Sequence, residues 1–153
     1  MSLDKFFTRD ISNKGIELPL PLPNGMPSGD HLVILGKWSD EFRTQEAEMK
    51  REAVQAASKY HDDKVKRAKA MREIEIKFVS SLVVGWSFDV EFNQKNVQKL
   101  LFNAPQIMEL VDRAVVNDSL FFGKPSIGSS STQEPTSNST ESQKDQKDPQ
   151  DNI

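Results

Sequence analysis

The sequence predicts an α+β domain, mainly helical with about four helices. A small N-terminal β-hairpin or sheet precedes the helices, and a disordered C-terminal tail follows them. Three observations carry this reading. Apolar residues recur at helical spacing from Phe42 to the apolar run Phe78–Val84. Short alternating or β-branched segments, bounded by Gly and Pro, lie before residue 38. The composition breaks near Gly128: residues 129–153 hold no aromatic and one aliphatic side chain, Ile153.

Residues 1–38 read as a β-rich segment packed on the helical part. Gly15-Ile16-Glu17-Leu18-Pro19-Leu20 alternates like a strand that Pro19 confines to a sheet edge. Pro21, Pro23, Asn24-Gly25, Pro27 and Ser28-Gly29 mark a turn-rich connection. His31-Leu32-Val33-Ile34-Leu35, between Gly29 and Gly36, reads as a second strand. Phe6 and Phe7 read as a third strand or as packing against these two.

Residues 39–124 read as the helical domain. Ser39 is placed to cap a first helix, with Asp40 and Glu41 where the helix dipole favours acids. Trp38 stands at the position of a hydrophobic staple, though opposite Arg43. Phe42, Met49, Ala53, Ala56, Ala57 and Tyr60 form the inward stripe. Asp62 or Asp63 caps a second helix, Lys64 to Val84, with Val65, Ala68, Met71, Ile74 or Glu75, Phe78 and Leu82 along its stripe. Gly85 reads as its stop. Asn93 or Asn96 opens a third helix carrying Val97, Leu100 and Leu101, which Asn103-Ala104-Pro105 ends. Pro105 suits the first turn of a fourth, with Ile107, Leu110, Val111 and Ala114 inward. Leu120-Phe121-Phe122-Gly123 closes the domain. Residues 125–153 read as a low-complexity tail that cannot bury enough apolar surface to offset its ordering entropy.

Charge and composition exclude several chemistries. The 153 residues carry 20 basic and 23 acidic side chains. The tail holds five of the acids and two of the bases, which leaves eighteen of each sign in residues 1–128. A neutral domain lacks the long-range field of a non-specific nucleic-acid binder. The basic run Lys64, Lys66, Arg67, Lys69 and Arg72 reads as a solvated helix face balanced by acids on the first helix. No cysteine is present, so disulfides, thiolate metal sites and cysteine nucleophiles are absent. His31 and His61 match no ligand spacing, and His61 reads as an exposed linker residue. No phosphate-binding glycine loop and no nucleophile-elbow serine occur. No enzyme, cofactor or metal is expected. The N-terminus has no signal-peptide pattern. The apolar run 78–86 falls well short of the roughly twenty residues that span a membrane.

What remains is aromatic surface. Trp86, Phe88 and Phe92 follow the second helix closely, and Phe121-Phe122 end the domain. Taken singly, each fits a core, but a domain this small is expected to expose one or two of them. With Leu101 these five are the partner-binding candidates.

In order along the chain stand Gly-Lys-Trp-Ser-Asp-Glu-Phe-Arg at 36–43 and Phe-Val-Ser-Ser-Leu-Val-Val-Gly-Trp-Ser-Phe at 78–88. Asn-Gln-Lys-Asn-Val-Gln-Lys-Leu-Leu at 93–101, Ala-Pro-Gln-Ile at 104–107 and Leu-Phe-Phe at 120–122 follow. This order and spacing resembles the tail assembly chaperones of long-tailed bacteriophages, over about residues 15–123. The resemblance implies a non-enzymatic protein that binds the tape measure protein and helps recruit tail tube protein. It would act in the host bacterial cytoplasm, be absent from the mature virion, and use neither nucleic acid nor membrane. A homo-oligomer stays open, as do two other readings: a structural tail completion or connector protein, and a small helical nucleic-acid-binding regulator.

Overall fold

Ile16–Pro21 (β1) and Pro27–Ile34 (β2) form an antiparallel hairpin in which Ile16 faces Ile34 and Leu18 faces Leu32. The period of two sends Leu18, Leu20, Leu32 and Ile34 into the core. Pro19 lies on an edge strand, because the sheet order is β1-β2-β3. The architecture is that of a computed structural model, which describes residues 2–123. The expected tail at 125–153 lies outside the described residues.

Two expectations for the sheet are corrected. The third strand is not Phe6-Phe7. Leu3–Phe6 is a single 3-10 turn, and Phe6 and Phe7 are 72% and 63% exposed. Instead Val83–Trp86 (β3) pairs antiparallel with β2, Trp86 opposite Leu32. The second long helix therefore ends before Val84, and Gly85 is a strand residue opposite Val33 rather than a helix stop. The cause is local. Ser80 and Ser81 turn their hydroxyls back onto the carbonyls of Lys77 and Phe78, at 2.9 and 2.6 Å, in competition with the helical ladder. The β-branched pair Val83-Val84 then suits a strand.

Among the described residues there are six helices rather than about four. Arg9–Lys14 (α1) was not expected, since it has no apolar stripe and buries only Ser12. Gly15 ends it at φ 85°, where a Cβ would stand 2.7 Å from the Ile34 carbonyl oxygen. Arg9 and Asn13 tie α1 to Asp40, and the Arg9 guanidinium holds the Asp40 carboxyl below the usual carboxylate range.

Asp40–Lys59 (α2) starts at Ser39, whose hydroxyl accepts from the Phe42 amide at 3.1 Å. Trp38 does not form the staple: its indole N–H donates to Asp118. Lys64–Ser81 (α3) is capped by Asp63, Gln94–Asn103 (α4) by Asn93, and Pro105–Val115 (α5) opens on its proline. Asp118–Phe122 (α6) follows.

The core joins the two halves. Leu32 and Ile34 of β2 and Val83 of β3 pack with Val79 and Leu82 of α3 and its end, Val97 and Leu101 of α4, and Val111 of α5. Phe78 sits at the margin of this cluster, half-buried and edge-on to Phe42 at 5.4 Å.

Leu82 is 1% exposed, so Leu82→Ala should cost about 2–5 kcal/mol by lost transfer and cavity. Urea unfolding measures this; an unchanged midpoint would show that Leu82 is not at the centre of the core.

Candidate docking surface

Trp86 ends β3, and the chain after it is pinned at both ends. Ser87 donates its amide to the His31 carbonyl at 3.0 Å, and its hydroxyl accepts from the His31 amide at 2.8 Å. At the far end, the Asn93 side chain caps α4 by accepting from the Asn96 amide, and the Asn96 side chain donates back to the Glu91 carbonyl at 2.8 Å. Between these anchors Phe88 and Phe92 both meet Trp86 edge-to-face, at 5.2 and 5.4 Å. Such pairs fix ring orientation as well as burying area. The indole N–H donates to the Val90 carbonyl at 2.9 Å. Trp86, Phe88 and Phe92 are half-buried and pack on the core from outside.

This loop forms one wall of an open groove of about 640 Å³. Trp86, Phe88, Asp89 and Val90 line one side; Asn96, Lys99, Leu100 and Asn103 of α4 line the other. Val90 is 60% exposed. Beyond Lys99 and Asn103 a smaller hollow of about 280 Å³ carries Ile76 and Phe102, the latter 61% exposed. One acid, Asp89, and one base, Lys99, border the main groove, so its selectivity is set by apolar shape.

Of the six candidate residues, the structure brings Trp86, Phe88 and Phe92 together; Trp86 and Phe88 line the groove, and Phe92 supports Trp86 without lining it. Leu101 is fully buried beneath it and presents nothing to a partner. Phe121 is buried as well, against Gly36, and Phe122 is half-buried beside it, away from the groove residues along the chain. Val90, Leu100 and Phe102 complete the apolar surface. Phe102 carries a signal: Leu100-Leu101-Phe102 are successive on a helix, at about 100° each, so the three cannot all point inward.

The other sequence candidates resolve differently. His61 is exposed, with its ring against the Ser58 carbonyl and Asp62. Arg67 donates to the Tyr60 and His61 carbonyls and so caps the C-terminal end of α2. Lys64, Lys66, Lys69 and Arg72 are exposed. Among the described residues no ion pair joins them to α2; the pair that does link α2 and α3 is Lys77–Glu52, at 2.7 Å. Their positions wind around α3 rather than forming one phosphate-facing stripe. No described helix is long and apolar enough to cross a membrane.

Exposed apolar surface of this kind, rimmed by polar residues, is what protein interaction sites use in general. The sequence model of the phage tail assembly chaperone family matches residues 32–117, more than half of the chain, and the chain belongs to that family. The match runs from β2 to the end of α5 and so includes the whole groove. No curated protein and no solved structure matches the chain.

Replacing Lys64, Lys66 and Lys69 together by Gln should leave partner binding unchanged. The same run should not bind nucleic acid, so neither parent nor variant should shift duplex DNA in physiological salt by electrophoretic mobility. DNA binding by the parent that the triple variant loses would contradict it.

Proposed function

We propose that this chaperone holds the tape measure protein during tail assembly, in the host cytoplasm, and helps bring tail tube protein to it. The groove between the 86–92 loop and α4 would take apolar helical segments of the tape measure protein. The observation that carries this reading is the combination of exposure and rigidity there. Val90 and Phe102 stand open to solvent, while Trp86 is fixed by two aromatic neighbours and a hydrogen bond. A pre-organised aromatic surface loses little conformational freedom on binding, and aromatics dominate such interfaces. Burial of a client's apolar patch is worth about 25 cal/mol per Å² before association costs.

A chaperone released after assembly would be absent from the finished virion, whereas a tail completion or connector protein would stay. Mass spectrometry of purified particles separates these readings.

Phe88→Ala and Phe102→Asp should each weaken the complex at least tenfold, about 1.4 kcal/mol, and leave the circular dichroism spectrum unchanged. Phe102→Asp should also keep the melting temperature, since that ring is open to solvent. Leu101→Ala should lose binding only together with the fold. Co-expression with the tape measure protein of the same phage, followed by pull-down and a solubility assay, reads all three. If the two proteins do not associate, and the long protein is equally soluble alone, this reading fails.

A further inference from the structure

A second groove lies between the paired helices α2 and α3 and helix α5. Its floor is Met49 of α2, Phe78 and Val79 of α3, and Pro105 and Met108 of α5, around a space of about 410 Å³. Its walls are two short helical faces: Arg72, Glu75 and Val79 on one, Pro105, Met108 and Asp112 on the other, with Glu109 beside them. Each set follows the i, i+3, i+7 pattern, so the groove runs two helical turns, about 10 Å. That length suits the anchor set of one amphipathic helix. Methionine thioethers are polarisable and adapt to irregular apolar faces.

Charge distinguishes this groove from the aromatic one. Three carboxylates, Glu75, Glu109 and Asp112, rim it against a single guanidinium, Arg72. Among the described residues only Glu109 of these has an ion-pair partner, Arg113, at 3.7 Å and on its own helix. With Arg113 counted beside Glu109, the rim still carries more carboxylates than cations, on a domain whose basic and acidic side chains balance. A helix with an acidic polar face would meet repulsion there, and one with a basic polar face would complete it.

We infer that the α2/α3/α5 groove is a docking site for a cationic amphipathic helix of a partner protein, separate from the aromatic groove. The apolar face of that helix rests on Met49, Phe78 and Met108, and its lysines or arginines reach Glu75, Glu109 and Asp112. The site does not depend on the tape measure reading; failure of either leaves the other standing.

The test uses the full chain and two fluorescein-labelled peptides of about 14 residues, near the length at which isolated helices become marginally stable. Both carry leucine at i, i+3, i+4 and i+7; one has a lysine polar face, the other glutamate at the same positions. By fluorescence anisotropy the lysine peptide should bind at least tenfold more tightly, and less so as salt rises. Glu109→Lys with Asp112→Lys should weaken it roughly tenfold at an unchanged melting temperature, since both side chains are exposed. Phe102→Asp should leave it unchanged. Equal affinity for the two peptides, no binding of either, or full lysine-peptide binding by the double variant would each overturn the proposal. The last result would place the cation on another acidic part of the chain.

Discussion

The fold depends on one crossing of the chain, Leu35 to Ser39, where strand β2 becomes helix α2. Within these five residues the backbone reaches three other elements. Leu35 donates to the Leu82 carbonyl at the end of α3, Gly36 to the Ser12 carbonyl in α1, and Lys37 to the Val115 carbonyl at the end of α5. Ser39 then folds back on the Gly36 carbonyl and caps α2 with the same hydroxyl. The centre is tightly packed. A Cβ on Gly36 would stand 3.0 Å from both the Phe121 ring and the Ser12 hydroxyl. Buried backbone groups must find partners, and here each partner belongs to a different element, so satisfying them sets the relative position of sheet and helices.

The groove is a consequence of that arrangement. Fixing Leu82 against β2 forces the chain out of α3 and into β3, which carries Trp86 to the sheet margin. The following loop is then held by Ser87 on β2 and by Asn96 on α4. The core beneath is made by Val97 and Leu101 of the same helix whose outer face lines the groove. One face of this amphipathic helix thus builds the core and the other lines the groove. The family match spans these elements and leaves out α1, β1 and α6, which brace the crossing from outside.

Much of this was legible because helix starts have local chemistry. Ser39, Asp63, Asn93 and Pro105 each open a helix for reasons that lie within a few residues. The parts that were not legible depend on distant partners. Helix α1 has no apolar stripe; it is held by Gly36 and Asp40, far along the chain. The stretch Val83–Trp86 is apolar on both faces, and such a run reads equally as a buried helix end or a strand until its pairing partner is known. At the surface, Trp86, Phe88 and Phe92 were readable as a group because they are neighbours in sequence. Leu101 and Phe121 could not be told from surface residues by type alone. Periodicity in a short helix leaves its flanks ambiguous, and only the closure of α4 and α6 on the core assigns them inward.

The pinned loop and the outer face of α4 are the surface proposed to hold the tape measure protein. Hydrogen–deuterium exchange of this chain, alone and in complex with the tape measure protein, tests it most directly. Added protection should concentrate in residues 86–103, with the β1–β2 hairpin tip at 22–26 unchanged. Protection confined to the hairpin or α1, with 86–103 exchanging as in the free protein, would contradict it.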